Sequence, residues 1–121
     1  LAEHHEVLST FYGEDDPAKI YRGASEMLRR YPEMDALFVT ASGCADACRA
    51  VIDCGREGKV SVFGFDCAEI CRMMTPPIPV VQQPEQELGR LAGMRLIERM
   101  SGSRDPARIT RLPCRLIEES A

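Results

Sequence analysis

Apolar positions along this chain switch between two spacings. Over residues 17–31, Ile20, Tyr21, Ala24, Met27, Leu28 and Tyr31 fall three or four apart, which places them on one face of a helix. Asp16 stands where an N-cap carboxylate accepts from the first-turn N–H groups, and Pro17 suits the first helical position, where a missing N–H costs nothing. Tyr31 precedes Pro32 and ends the helix. The compact run DALFVT (35–40) reads instead as a buried strand. A second helix follows, with Ser42 as its expected cap, Cys44, Ala47, Cys48, Val51 and Ile52 on its apolar face, and Gly55 and Gly58 terminating it.

The alternation continues to the end. KVSVFGFD (59–66) is strand-like, with Asp66 at its carboxyl end. A short helix runs through Met73 or Met74 until TPP stops it. IPVVQQ (78–83) reads as another strand. Leu88, Leu91, Ala92, Leu96 and Met100 mark a long helix closed by Gly102, and ARITRLPCRLIEES (107–120) gives one or two final strands. At the front, VLSTFY (7–12) reads as a short strand and GEDDP (13–17) as a turn. Strand–helix units with short links predict an α/β fold on a largely parallel sheet. In such sheets ligands bind beyond the carboxyl ends of the strands. That rule selects four loops, 13–16, 40–42, 66–67 and 82–84.

Composition narrows the classes. With 121 residues, 45% of them hydrophobic and 28% charged, the chain suits one domain with a real core. A net charge of −4, with Lys and Arg spread along the chain, argues against a nucleic-acid surface in this segment. No apolar run is long enough for a membrane helix. The opening LAEHHEVLST has neither the basic start nor the apolar stretch of a signal peptide, and it lacks an initiator Met, so a piece of a longer polypeptide is expected.

The candidate chemistry centres on six cysteines. Cys44/Cys48 and Cys67/Cys71 both have Cys-x3-Cys spacing, one helical turn, which permits a metal site but lacks the loop chemistry of a zinc knuckle. A disulfide within either pair sits at the edge of allowed geometry. The preferred reading is a reducing, cytoplasmic setting in which the cysteines pack as small hydrophobes. His4 and His5 read as a solvated tail, and Glu85, Glu87, Arg90, Arg95, Glu98 and Arg99 as a solvated helix face. Catalysis finds little support: Ser42 lacks a Gly-x-Ser-x-Gly elbow and a convincing His partner, and the chain shows no Ser-His-Asp set, no glycine-rich phosphate loop and no convincing paired carboxylates. No metal, cofactor or enzymatic activity is expected.

The ordered set GEDDPAKIYRGASEMLRRYPEMDALFVT, VSVFGFD, PPIPVVQQPEQELGRLAGMRLIERMSG and RLPCRLIEES resembles the lactose-repressor (LacI-type) family of bacterial transcription regulators, from about residue 13 to the end. The resemblance implies the C-terminal part of a type I periplasmic-binding-protein-like effector domain. About 1–77 and 107–121 would belong to the C-terminal lobe, and about 78–106 would cross to the N-terminal lobe, leaving the helix at 84–101 short of packing partners. It further implies a small-molecule effector, a sugar or related metabolite, held between two lobes. DNA would be bound only through a helix-turn-helix domain absent from this chain. The family's homodimers imply contacts through the 43–56 helix and the 67–77 segment, where both cysteine pairs would line the interface. Asp66 matches an acidic ligand contact and Gln83 a cleft-lining residue. Ala41 and Ser42 stand where the family usually has Asn-Asp after the strand, and Asp15 where many members place a stacking aromatic ring, which implies a different or more polar ligand than a simple hexose. The alternative is a solute-binding protein of a transporter, which shares the fold but would be exported.

Overall fold

The computed structural model describes residues 4–40, 42–66 and 68–118. Its elements run α1 (Pro17–Arg30), β1 (Ala36–Thr40), α2 (Cys44–Asp53), β2 (Ser61–Phe65), α3 (Ala68–Met73), β3 (Val80–Gln82), α4 (Glu85–Met100) and β4 (Arg115–Ile117). The sheet order is β1-β2-β3-β4. The first three strands are parallel and β4 is antiparallel to β3. The α/β reading with a largely parallel sheet therefore holds.

α1 begins as its sequence dictates. The Asp16 carboxylate accepts from the N–H groups of Ala18 (2.9 Å) and Lys19 (3.2 Å), and Tyr31 caps the other end. Ala24 and Leu28 are buried from its apolar face, with Tyr21, Met27 and Tyr31 packed beside them. Gly23 is buried because the Phe11 ring lies on it; a Cβ there would come within 2.3 Å of that ring. Residues 7–12 are thus an irregular arm on α1, not the expected strand: Phe11 finds its apolar contact on the helix and the backbone joins no sheet ladder.

Two apolar clusters form the core. One joins Ala24 and Leu28 of α1 to Leu37, Ala50, Val51, Val60 and Met34. The other joins Cys44, Ala68, Cys71, Ile78 and Val80. The inward strand positions follow the period of two: Leu37 pairs with Val62, Val39 with Gly64, Gly64 with Val80 and Val80 with Ile117. Gly64 explains two of the cysteines. A side chain there would meet the Cys71 sulfur at 2.9 Å and the Cys44 sulfur at 3.1 Å, so the two thiols fill the space over a bare strand position. Cys44 is 1% and Cys71 0% exposed within this single chain, so these two turn into the core and do not line a subunit interface as their family position implied. Cys48 is half-buried, and burial, with Cys71 nearby, raises its pKa. Cys67 lies outside the described residues.

Three further expectations change. Ala50 is buried on α2, whereas Ile52 is 53% exposed, because it lies 100° round the helix from Val51 and clears the sheet. The strand at 35–40 is covered on one face only. Phe38 and Phe63 are paired on the opposite face with Leu116 two strands further along, and all three are exposed. Ser42 does not cap α2; Gly43 takes the N-cap position at φ 99°, with no side-chain cap.

Arg56 ties the end of α1 to the loop that follows α2. Its guanidinium donates to the carbonyls of Leu28 (3.0 Å), Pro32 (2.9 Å) and Met34 (2.7 Å). Nearer the start of α1, the Tyr21 hydroxyl donates to Asp53 on α2 at 2.7 Å, and this bond raises the tyrosine pKa. α4 is different: none of its sixteen residues is buried. Its own surface carries the pairs Glu87–Arg90 and Arg95–Glu98, each one turn apart.

Candidate functional site

The carboxyl ends of β1, β2 and β3 lie in register, with Thr40 beside Phe65 and Phe65 beside Val81. The residues that follow each strand are therefore neighbours along one sheet edge, the edge where α/β sheets bind ligands.

Asp66 follows β2 with a left-handed backbone, φ 59°, while its N–H continues the ladder to the Val81 carbonyl at 2.8 Å. Its carboxylate reaches the loop after β3 and takes two bonds from one residue. Oδ1 accepts from the backbone N–H of Gln83 at 3.1 Å and Oδ2 accepts from the Gln83 carboxamide Nε2 at 2.5 Å. The turn before α1 makes a second pair. Asp16 N–H closes the turn on the Gly13 carbonyl at 3.0 Å, and the Ser42 hydroxyl donates to Asp15 Oδ1 at 2.5 Å. Four predicted residues are thus gathered into two bonded pairs, Asp15–Ser42 and Asp66–Gln83. Ala41 lies outside the described residues.

Backbone conformation marks the same loops. Among the described residues, the non-glycine positions with positive φ are Glu14 (53°), Asp15 (55°) and Asp66 (59°). Each such residue costs on the order of 1–2 kcal/mol, least for Asp, so such positions collect where a loop must aim a side chain.

Sequence reasoning missed what holds the two loops beside α1. Ile20 packs under both: a Cβ on Gly13 would come within 2.3 Å of its side chain, and one on Gly43 within 2.6 Å. The signal was present as a glycine beside each predicted residue, Gly13 near Asp15 and Gly43 next to Ser42. Glu14 was missed as well; it forms an ion pair with Lys19 on the first turn of α1.

The described loops thus offer the carboxylates of Asp15 and Asp66, the hydroxyl of Ser42 and the amide of Gln83. Carboxylates only accept, so the edge suits a ligand rich in hydroxyl or N–H donors. Two open depressions lie elsewhere, along α1. The first, of about 470 Å³, is lined by Phe11, Tyr12, Lys19, Arg22, Gly23 and Glu26; the second, of about 500 Å³, lies between α1 and α2 near Tyr21 and Arg49. Among the described residues no group of three or more His, Cys, Asp or Glu side chains is placed to hold a metal ion, and no described helix is long and apolar enough to cross a membrane.

Residues 2–120 match the family model of the periplasmic binding protein-like domain. The chain belongs to this family. Its LacI-type resemblance is carried by curated relatives. The HTH-type transcriptional repressor PurR of Proteus mirabilis (strain HI4320) is 27% identical over 111 residues, covering 88% of this chain and 32% of that protein. The HTH-type transcriptional regulator CelR of Thermobifida fusca is 32% identical over 99 residues, covering 78% of this chain and 27% of that protein. This periplasmic binding protein-like chain therefore spans about a third of the length of the curated relatives it matches. Among solved structures, a complex of transcriptional regulator CelR with cellobiose aligns with a TM-score of 0.77 and 26% identity, covering 90% of this chain and 36% of that one. GanP, a glucose-galactose binding protein from Geobacillus stearothermophilus, shares the fold with a TM-score of 0.73 at 23% identity, covering 87% of this chain and 39% of that one. These relatives are transcription regulators and a glucose-galactose binding protein.

Proposed function

We propose that this chain is the C-terminal part of the effector-binding domain of a LacI-type transcription regulator, and that it senses a small polar metabolite, a sugar or a related compound. The observation that carries the reading is Asp66. It stands at the carboxyl end of the central parallel strand, with a left-handed backbone and a carboxylate turned along the sheet edge, in a chain whose relatives are regulators. Asp66 and Gln83 would meet the ligand from one side and Asp15, Ala41 and Ser42 from the other. The likeness to a regulator solved with cellobiose supports the sugar class. The polar Asp15–Ser42 pair favours a ligand that offers hydrogen-bond donors over one that offers a flat apolar face.

In this reading, residues 1–77 and 107–121 form one lobe, and 78–106 cross to the other. Ligand binding shifts the closure of the lobes, and DNA-binding domains outside this segment respond. The protein would act in the cytoplasm, without enzymatic activity, as a homodimer joined through the 43–56 helix and the 67–77 segment. Exposed Ile52, Ile70 and Met73 supply apolar surface on those elements. The likeness to GanP keeps a second reading, a solute-binding protein that delivers sugar to a transporter. The N-terminus of the longer polypeptide separates the two: a helix-turn-helix or an export signal.

The test is a thermal-shift screen of the whole effector domain against sugars, nucleosides and polyols, repeated with Asp66→Ala. A ligand that binds only the native state raises the melting temperature, by an amount equivalent to about 2.7 kcal/mol at a hundred times its Kd. The expected result is a hit that Asp66→Ala abolishes. A hit that survives the substitution moves the site away from the β2 end.

A further inference from the structure

Cys44 and Cys71 come from different helices and meet over one strand position. Cys44 opens α2, Cys71 lies on α3, and the two helices pack on one another. A Cβ on Gly64 would stand 2.9 Å from the Cys71 sulfur and 3.1 Å from the Cys44 sulfur. Glycine has no such atom, so the two sulfurs share that point, and their separation cannot exceed the sum of the two distances. The next nearest atom there belongs to Val80, at 3.4 Å, and not to Cys48. Both thiols are buried by this chain's own elements, at 1% and 0% exposure. The pair therefore owes nothing to the apolar faces left uncovered elsewhere.

We propose that Cys44 and Cys71 form a peroxide-responsive dithiol whose closure to a disulfide locks α3 onto α2. Access comes through α3, a helix of six residues with Met73 83% and Ile70 48% exposed. So short a helix opens locally without global unfolding. In the open form the Cys71 thiolate attacks hydrogen peroxide: an S–O bond forms, the O–O bond breaks, and the departing oxygen leaves as water with the thiol's proton. On reclosure the Cys44 sulfur attacks the Cys71 sulfenic acid. The S–S bond forms, the S–O bond breaks, and the second oxygen leaves as water with the Cys44 proton. Two thiols lose two electrons and one peroxide becomes two waters. Exchange with a dithiol reductant reopens the pair. α2 follows β1 and α3 follows β2, so the link ties together the two segments that leave neighbouring strands of the sheet.

The test uses a polypeptide that carries the whole effector domain, treated with hydrogen peroxide under native conditions. Remaining thiols are blocked with N-ethylmaleimide and the protein is digested without reduction. The expected product is an intramolecular link between the Cys44 and Cys71 peptides, formed at a rate independent of protein concentration and removed by dithiothreitol. Cys48→Ser should leave the link intact and Cys71→Ala should abolish it; the wild-type peptide map decides the pairing even if Cys71→Ala fails to fold. Hydrogen–deuterium exchange over residues 68–73 should fall roughly tenfold in the oxidised protein, since the link removes the open form of α3. A folded protein whose Cys44 and Cys71 both stay reduced overturns the proposal. So does a link that forms only in denaturant, one that joins Cys71 to Cys48 instead, or one between molecules through Cys114 with the core pair untouched. A linked protein with unchanged exchange over 68–73 overturns the lock.

Discussion

α2 and α4 carry the same kind of sequence signal and meet opposite fates. Both have apolar residues at helical spacing. α2 buries four of its ten residues, Cys44, Ala47, Ala50 and Val51. α4 buries none of its sixteen, and Leu96, Ile97 and Met100 stand 62%, 64% and 79% exposed. Periodicity specifies a face; burial requires a second surface opposite it. For α2 the sheet and α1 supply that surface: Cys44 clusters with Val39, Val62 and Val80, and Ala50 and Val51 with Ala24, Leu28 and Leu37. For α4 the described residues supply none. The outer side of the sheet, with Phe38, Phe63 and Leu116 exposed, resembles α4 in this respect. In a chain that spans about a third of its curated relatives, both are apolar faces that no other described element covers.

The contrast is sharpest at Leu28. This side chain is 2% exposed in the α1–α2–sheet cluster. Leu28→Ala should destabilise the 121-residue chain by about 3 kcal/mol, through lost burial and the cavity left behind, read as a lower urea midpoint with unchanged slope. A loss below about 1 kcal/mol would mean that α1 is not docked in solution. Arg56→Ala should come next, at about 2 kcal/mol, because it strips a charged donor from the carbonyls of Leu28, Pro32 and Met34 at once. Arg56→Lys should recover little of this. A single ammonium cannot reproduce the planar fork that serves three acceptors, so a lysine variant of wild-type stability would assign the effect to charge alone.

Much of this division was legible in the residues, for identifiable reasons. Local signals carried well: Asp16 and Pro17 start α1, Tyr31 ends it, and TPP stops α3. Each of these depends on a residue's own backbone or side-chain chemistry. Signals that depend on the neighbour across the gap carried less well. VLSTFY has strand composition, but Phe11 packs on Gly23 and the arm stays irregular. Ser42 has cap chemistry, but Asp15 reaches its hydroxyl first. The sheet-edge rule set the ends of β1, β2 and β3 side by side because it depends only on strand direction, but it selected residues 13–16 through a strand at 7–12 that does not form. The pairing of Asp66 with Gln83 was out of reach, since it joins residues 17 apart through the register of β2 and β3. Cys44 and Cys71 were legible as packing, while their seat over Gly64 became visible only with that register; Cys114, by contrast, is exposed.

The smallest expected effect is the one that most directly tests why α4 differs. Ile97→Ala removes an apolar side chain that is 64% exposed in this chain. The 121-residue chain should change stability by no more than about 0.5 kcal/mol, and the sign should lean towards stabilisation, because Ala is the better helix former by a few tenths of a kcal/mol. The same substitution in a longer polypeptide that contains the whole effector domain should be costly, at about 2 kcal/mol, if α4 there lies against a partner surface. Paired urea titrations of the two proteins give the comparison. A large loss in the short chain would mean that α4 folds back onto the core, and the uncovered face would then be a property of this arrangement alone. A negligible change in both would mean that Ile97 faces water even in the longer protein, and the buried side of α4 would have to be sought through Leu88 and Leu91 instead.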